Sequence, residues 1–269
     1  MPKKKSYILP LSIVGILLLA LLTFVILSRT NRTWRDIQDD KIIRVVTSYH
    51  PINYCIVDGK PSGFGLELIK LLSDSLDYSL DITIENSPEL RLRGLKNGDY
   101  DIMLDMMPIT TQSSDLYYIS RPLAISKLML FQSATFDTIS PQITNIEQLD
   151  GKTIYIEQGS QYEMVLTHIR NEVNVDFTIN YSNFSSDMLY QQVISHQIQY
   201  AAIDYAYLSP LISANADSLL FALGFDQLIG WAVADKTIQT HINDFIDSLS
   251  SSRRLQTIKN KYNLKSILR

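Results

Sequence analysis

The sequence predicts an α/β protein built on parallel β-sheets and preceded by one N-terminal transmembrane helix. Segments with the residue pattern of buried strands alternate with segments of helical spacing, which favours parallel strands joined by right-handed helical crossovers. The 269 residues are 46% apolar and 19% charged. This composition is globular, and the chain is long enough to form one sizeable core or two lobes.

The first thirty residues predict a membrane anchor. Tyr7 to Leu27 contain no charge, and about twenty residues at 1.5 Å each match a hydrocarbon core of about 30 Å. Three lysines precede this run, so the positive-inside rule keeps the N-terminus in the cytoplasm. A cleaved signal peptide is the alternative, but no small-residue cleavage site follows the run. We therefore expect a single-pass protein of the cytoplasmic membrane, with an anchor at 1–30, a tether at 31–40 and a domain facing the periplasm or the cell exterior.

The predicted elements of that domain follow one another in a regular order. Strands are assigned to β-branched or alternating apolar runs, and helices to apolar residues three or four positions apart. Asn97-Gly98 is a usual C-terminal stop for a helix. The predicted strands are 42–47, 80–84, 102–107, 127–131, 153–156, 177–181 and 201–204. The predicted helical segments are 64–72, 89–95, 146–149, 162–170, 186–195 and the helix-rich stretch 238–262.

Charge and motif patterns argue against several classes of function. Four of the 24 basic residues and none of the 28 acidic ones lie in the first thirty positions, so the domain has eight acids in excess. Nucleic-acid binding needs clustered basic residues, and we therefore expect none. The four histidines are scattered and Cys55 is the single cysteine, which leaves no metal spacing and no intrachain disulfide. Leu68 stands where a dinucleotide motif needs its third glycine, and we expect no cofactor.

No catalytic constellation is recognisable either. The sequence after Gly159 does not form a G-x-S-x-G nucleophile elbow. Asp99, Asp101 and Asp105 are close in sequence, but a glycosidase needs two carboxylates across a sugar site. We therefore expect a protein that is not an enzyme.

Seven short segments, in order and at fitting distances, carry a family resemblance. They are the strand and aromatic-proline loop at 43–51, the turn and helix start at 58–68, Leu95 to Asp101, Ile109-Thr110 with Ser120 and Pro122, Leu149 to Ile154 with Gly159-Ser160, Tyr200 to Asp204, and Gly230 to Val233. Together, over about Lys41 to Leu264, they resemble extracellular solute-binding protein family 3, the polar amino-acid binders of transport systems. They are similar in particular to the N-terminal binding module of the membrane-bound lytic transglycosylases F.

The resemblance implies a two-lobed, periplasmic-binding-protein-like fold of type II with a hinge of two strands. Lobe 1 would comprise 41–131 plus 231–269, and lobe 2 would comprise 132–230. The ligand would bind between the lobes, where strand ends and helix N-termini point into the crevice, and the lobes would close on it. In the lytic transglycosylase the catalytic glutamate lies in a helical domain after this module. The sequence ends at Arg269, so we expect the binding module without that activity.

Candidate ligand contacts come from both lobes of the implied fold. Asp204 matches the amine-binding carboxylate of the family, with a helix cap as the alternative role. Ser160 and Gln161 could present a hydroxyl and backbone N–H groups at a helix start, and simple N-capping is again the alternative. Tyr49 and Tyr54 belong to the aromatic loop, where stacking on the ligand and a core position are both open.

The strand at 102–107 and the loop after it supply the other candidates. Asp105 lies near the strand exit and is an open candidate. Thr110 and Ser113 follow, and the family carries an arginine at the second of these positions, where it holds the α-carboxylate of the ligand. Loss of that charge-assisted pair could weaken a free amino acid about 100-fold, so we expect another ligand. Arg91 or Arg121 could replace the cation, with a solvated surface position as the alternative.

The predicted function is a membrane-anchored, extracytoplasmic solute-binding protein for transport or sensing. Its ligand would be a small polar molecule, such as an amino-acid derivative, a peptide or a cell-wall fragment, and not a standard free α-amino acid. Its partner would be a membrane permease of an ABC transporter or a wall enzyme. One alternative is a lyase on the same fold, of the cyclohexadienyl dehydratase type, which would need a positioned general acid. The other is a ligand-free structural module of the cell-wall machinery.

Overall fold

The computed structural model describes residues 32–133, 142–160, 162–212, 220–250 and 252–264, together with Gly15. The predicted anchor, Tyr7 to Leu27, lies outside the described residues apart from Gly15, and it stays a prediction. Within the described ranges, every helix is too short or too polar to cross a bilayer.

The elements of the first half lead from a short helix into an α/β arrangement. In chain order they are α1 (Trp34–Asp40), β1 (Ile42–Thr47), β2 (Cys55–Val57), β3 (Lys60–Ser62), α2 (Phe64–Leu76), β4 (Ser79–Ile84), α3 (Pro88–Lys96), β5 (Ile102–Pro108), α4 (Thr111–Leu116), β6 (Tyr118–Ile119) and β7 (Ala124–Gln132).

The second half repeats the alternation and ends in two helices. Its elements are a 3-10 turn (Ile146–Leu149), β8 (Thr153–Glu157), α5 (Tyr162–Val173), β9 (Thr178–Ser182), α6 (Ser186–Ile194), β10 (Tyr200–Asp204), α7 (Tyr205–Leu208), β11 (Leu220–Val233), α8 (Lys236–Ser250) and α9 (Arg253–Lys261). The seven predicted strands are all present, with ends within about three residues of the prediction.

The segment predicted as a polar tether is helical over most of its length. Trp34 and Ile37 of α1 are buried, and the Trp34 ring stacks on His241 of α8 with 4.5 Å between ring centroids. Thr33 and Asp36 form a capping box that satisfies free backbone donors at the helix start. Residues 34–40 of the predicted tether therefore form a packed helix, because a tertiary contact buries the apolar side of a mostly polar sequence.

One nine-stranded sheet runs through the described residues in the order β4-β1-β5-β11-β7-β10-β8-β9, with β6 paired to β11. β1 lies parallel to β4 and β5, and β8 lies parallel to β9 and β10. The long strands β7 and β11 pair antiparallel and join the two parallel parts. The register of this pair shifts between Leu223 and Gln227. These two strands form the predicted connection between two α/β halves.

Separate apolar cores mark those two halves. The first core is built on β1, β5, α2, α8 and the end of β11, and it includes Trp231 at full burial. Two further cores pack on the faces of the second half, one around Leu166 and one around Leu189. β7 contributes Ala124 to the first core and Leu130 to the second half. We call the half around the first core the first lobe and the other half the second lobe; the predicted lobe limits stay a prediction.

Candidate functional site

A cleft of about 810 Å³, counted up to its open mouth, contains side chains from both lobes. We call it the interlobe cleft. Its first-lobe wall consists of the loop at 48–50, one side of α3 and strand β5. Its second-lobe wall consists of Glu157, Gly159, Ser160, Tyr162, residues 185–187, Ala202 and Tyr207. Much of the lining is apolar, including three methionines of β5. The walls meet at the ends of parallel strands, which is where ligands bind in α/β proteins.

Asp105 holds the first-lobe wall together. Its buried carboxylate accepts hydrogen bonds from the Ser48 N–H at 3.0 Å, the Ser48 hydroxyl at 2.6 Å and Asn53 Nδ2 at 3.0 Å. Arg91 Nη2 lies 3.2 Å from the same carboxylate and completes an ion pair. With these partners, Asp105 positions the loop at 48–53, although it also lines the cleft.

Arg91 occupies the cleft wall and is not a solvated surface residue. Its side chain is 7% exposed, and Nη1 donates to the backbone carbonyl of Glu85 at 2.7 Å. Its Nε is buried without a hydrogen-bond partner among the described residues. Arg121, by contrast, is more than half exposed and pairs with Asp247 at 2.8 Å. Of the two candidate cations, the structure therefore brings only Arg91 to the cleft.

His50 provides a neutral hydrogen-bond donor in the same wall. Its Nδ1 accepts from the Ile52 N–H at 3.2 Å, so the neutral ring carries its proton on Nε2. Burial lowers the pKa of His50 to about 4, although the charges of Asp187 and Asp105 favour protonation. Nε2 has no partner among the described residues. At neutral pH this side chain can therefore donate to a ligand without adding charge.

Glu157 is the acid on the second-lobe wall. It ends β8, and its Oε2 accepts from the Ser186 hydroxyl at 3.0 Å. Burial raises the pKa of Glu157 to about 7, Arg91 opposes the shift, and Asp105 and Asp187 add to it. The ionised form is thus poorly stabilised by the protein alone. A carboxyl group poised in this way can accept a cation or exchange a proton near neutral pH.

This shift predicts that the protein without ligand becomes less stable as pH rises from about 5 to about 7. The folded state retains the Glu157 proton to higher pH than the unfolded state, whose glutamate titrates near its ordinary value, so unfolding releases a proton in this window. Glu157→Gln should therefore be more stable than the wild type at pH 8 and close to it at pH 5. Thermal unfolding at both pH values measures the difference, and an equal difference at both would contradict the assigned shift.

Asp204 lies away from the lining of the cleft, and its carboxylate is fully engaged. Oδ2 accepts from the Tyr162 hydroxyl at 2.7 Å, and Oδ1 accepts from the Ala206 N–H at 2.8 Å and from Ser126 in a very short contact. The residue is 2% exposed and caps α7. This geometry is that of a helix cap, which was the alternative role of Asp204, and it does not support the predicted direct contact with a ligand.

Three other predicted contacts are absent from the cleft lining. Thr110 and Ser113 form the capping box of α4, and the buried Ser113 hydroxyl donates to the Pro108 carbonyl at 2.7 Å. Tyr54 packs against the first core, where its backbone carbonyl accepts from the His50 N–H at 2.8 Å. These side chains stabilise local structure, and Ser113, whose hydroxyl is used in the α4 cap, provides no cation for a ligand carboxylate.

Two predicted contacts besides Asp105 do line the cleft. Tyr49 is 44% exposed at the mouth, and Ser160 has a buried hydroxyl without a partner among the described residues. Gln161 lies outside the described residues. Ser160 and Tyr49 therefore remain candidate contacts, one from each lobe.

Glu157, Asp187, His50 and Tyr207 are among the lining residues that were not predicted from the sequence. Glu157 follows a predicted strand, and acids at the carboxyl ends of parallel strands are a usable signal. The other three had no local signal: His50 lies in a loop, Asp187 in α6 and Tyr207 in α7, and such residues enter a cleft only through their tertiary placement. Within the described ranges, no group of three or more His, Cys, Asp and Glu side chains is arranged to hold a metal ion.

Comparison with known proteins agrees with the resemblance of the motifs. Residues 42–265 match the family described as bacterial extracellular solute-binding proteins, family 3. A membrane-bound lytic murein transglycosylase F of Aliivibrio fischeri is 23% identical over 261 residues, which cover 93% of this chain and 51% of the relative. The chain spans about half the length of the curated relatives it matches.

Solved structures of similar fold include amino-acid-binding proteins. An ancestral amino acid-binding protein, described as a precursor of cyclohexadienyl dehydratase, has a TM-score of 0.69 and 17% identity, covering 86% of this chain and 99% of that one. A solute receptor for L-cysteine of Neisseria gonorrhoeae has a TM-score of 0.69 and 18% identity, covering 86% and 93%. At such identities the likeness establishes the fold alone.

Proposed function

This chain belongs to family 3 of the bacterial extracellular solute-binding proteins, and on that premise we propose that it is a membrane-anchored, extracytoplasmic binding protein that closes its two lobes on a small polar ligand. One observation carries the proposal. Residues that line the interlobe cleft from both lobes carry buried polar atoms without partners among the described residues, namely His50 Nε2 and Arg91 Nε on one wall and the Ser160 hydroxyl on the other. Buried polar groups ordinarily have hydrogen-bond partners, and a ligand between the walls would provide them.

The ligand in this proposal is not a standard free α-amino acid. Ser113 occupies the position of the family's carboxylate-binding arginine, and its hydroxyl is used inside the α4 cap. Asp204, at the position of the amine-binding acid, is saturated by Tyr162, Ser126 and Ala206. We therefore propose amino-acid derivatives, peptides or cell-wall fragments as ligands, which need not be held through an α-carboxylate bound by an arginine at this position.

The cellular setting of the proposal rests on the N-terminal run and on the relatives. The relatives that the chain matches are named membrane-bound lytic murein transglycosylases F, and the chain covers about half of each. An anchor at Tyr7 to Leu27 would hold the binding domain outside the cytoplasmic membrane. Its partner would then be a membrane permease or a wall enzyme, for transport or for sensing.

A thermal-shift screen of the full chain tests the proposed function. We expect at least one compound among amino-acid derivatives, short peptides and peptidoglycan fragments to raise the unfolding midpoint, because a ligand of the folded state stabilises it by mass action. Ser160→Tyr should abolish that shift, since the larger side chain enters the cleft. Glu172→Gln, an exposed change on α5, is the matched control and should retain it.

Three outcomes of the screen separate the proposed function from its alternatives. A saturable shift that Ser160→Tyr removes supports a binding protein, and micromolar calorimetric binding of a free α-amino acid would refute the proposed ligand class. Conversion of a shifted compound into product, followed by chromatography, would indicate a lyase. If no compound of any class changed the unfolding midpoint, a ligand-free structural module would be favoured instead.

A further inference from the structure

We propose that Glu157 forms the centre of a subsite that binds a primary ammonium group of the ligand. This inference rests on the proposed function and names the ligand chemistry of the same cleft. Glu157 lies on the second-lobe wall, and the one hydrogen bond that its carboxylate accepts from a described residue comes from Ser186 to Oε2. It forms no ion pair with a described lysine or arginine, so its second oxygen is available to a ligand.

The surroundings of Glu157 contain more acid than base. Asp187 lies in the same wall, and Asp105 and Arg91 lie in the opposite one. Arg91, the single cation of the described lining, already pairs with Asp105 at 3.2 Å. Among the described residues, the second-lobe carboxylates of Glu157 and Asp187 therefore lack a cation of their own. A low-dielectric cleft with this balance attracts positive charge.

A separate observation points to a ligand at this place. His50 is 2% exposed, and its Nε2 has no partner among the described residues. Arg91 is also buried, and its Nε lacks a partner as well. Both are donors on the first-lobe wall, so they call for an acceptor such as a carbonyl oxygen. The two walls therefore favour different ligand groups: the first-lobe wall favours a hydrogen-bond acceptor, and the second-lobe wall favours a cation.

Apolar side chains line the same cleft. Leu92, Met103, Met106 and Met107 line it, and methionine side chains adapt readily to a flexible aliphatic stem. A methylene chain with an ammonium group at one end and a carbonyl group at the other fits all three features.

The raised pKa of Glu157 agrees with an ammonium-binding subsite and makes binding measurable through its pH dependence. Burial raises its pKa to about 7, with Asp105 and Asp187 adding to the shift and Arg91 opposing it. A bound ammonium group would stabilise the ionised carboxylate, so binding would release a proton below about pH 7. His50 stays neutral over this range because burial lowers its pKa to about 4.

The test uses probes that isolate the ammonium group. Nα-acetyl-lysinamide carries the cation on an aliphatic stem. In Nα,Nε-diacetyl-lysinamide, acetylation at Nε converts the ammonium group into a neutral amide, so this compound is the uncharged counterpart. Cadaverine tests whether the ammonium group can come from a free aliphatic diamine, and the dipeptide Ala-Ala tests whether it can come from a peptide N-terminus. Calorimetry with the full chain, its Glu157→Gln variant and its Glu172→Gln variant measures each affinity. A lysine-type amine stays protonated well above pH 8, which keeps the pH dependence on the protein side.

We expect the full chain to bind at least one ammonium probe, and Nα-acetyl-lysinamide more tightly than its diacetyl counterpart. Glu157→Gln should weaken the ammonium probe about tenfold to hundredfold and leave the neutral one unchanged, because only a charge-assisted contact is lost. Glu172→Gln should change neither affinity. Wild-type affinity for the ammonium probe should rise about tenfold from pH 6 to pH 8, and the variant should show no such rise.

Each contrary result has a definite meaning. Equal affinity of wild type and Glu157→Gln for the ammonium probes would overturn the subsite, and so would equal weakening of charged and neutral probes, which would indicate a positioning role through Ser186. If no ammonium probe binds at millimolar concentration while a neutral or anionic compound raises the unfolding midpoint, the subsite fails and the proposed function stands. If no compound of any class binds, both fail.

Discussion

Asp105→Ala should lower the free energy of unfolding by about 3–5 kcal/mol. The substitution removes the acceptor of the Ser48 N–H, the Ser48 hydroxyl and Asn53 Nδ2 and leaves the buried Arg91 guanidinium without its counter-charge. Removing one partner of a buried ion pair is costly, because the remaining charge keeps its desolvation penalty. Urea unfolding, followed by circular dichroism, measures the loss.

Asp81→Ala provides the matched control for Asp105→Ala. Asp81 lies exposed on β4, so its loss should change stability by less than about 0.5 kcal/mol. Combining Asp105→Ala with Arg91→Leu should recover part of the lost stability, because the unpaired charge disappears. A loss below about 1 kcal/mol for Asp105→Ala alone would show that the pair is not desolvated and that the loop at 48–53 has other support.

Gly63→Ala should destabilise the protein by about 3 kcal/mol or more. Gly63 has φ of 139°, and a Cβ atom there would lie 2.3 Å from the backbone carbonyl oxygen of Asn53. That carbonyl also accepts from the Leu66 N–H at 3.0 Å, so the start of α2 and the loop of Asn53 cannot separate without loss. Thermal unfolding should show a midpoint lower by about 6–12 °C.

Gly59→Ala separates the cost of backbone conformation from the cost of the clash. Gly59 also has a positive φ, of 72°, but a Cβ atom there would meet nothing within 4 Å. Its substitution should cost about 1 kcal/mol, from the left-handed conformation alone. Equal losses for the two variants would contradict the close approach of Gly63 to Asn53.

Local sequence patterns predicted the secondary structure well where apolar periodicity was uninterrupted. β5 is an example, because every residue of Ile102–Pro108 is buried and the run is continuously apolar up to its proline, apart from Asp105. β11 was not among the predicted strands, although Gly230 to Val233 carry part of the family resemblance, since Gly224 and Asp226 interrupt its pattern where the register shifts. The helix Trp34–Asp40 was missed because its stability depends on Trp34 packing against His241, more than 200 positions away in sequence.

The candidate site was predicted less completely than the fold. Tyr49, Asp105 and Ser160 do line the cleft, whereas Asp204, Thr110 and Ser113 are used as helix caps. Capping and ligand binding draw on the same short polar side chains, so residue type at a strand end does not distinguish them.

The sequence by itself determined the family and the order of the seven predicted strands with the helices between them, because both follow from local periodicity and from short motifs at fitting spacings. Only the tertiary structure decided which polar groups meet in the cleft. The Arg91–Asp105 pair and the pKa of Glu157 depend on distances and on shielding by segments far apart in the chain. Electrostatic energies vary with separation and burial, and neither quantity is written in a local pattern of residues.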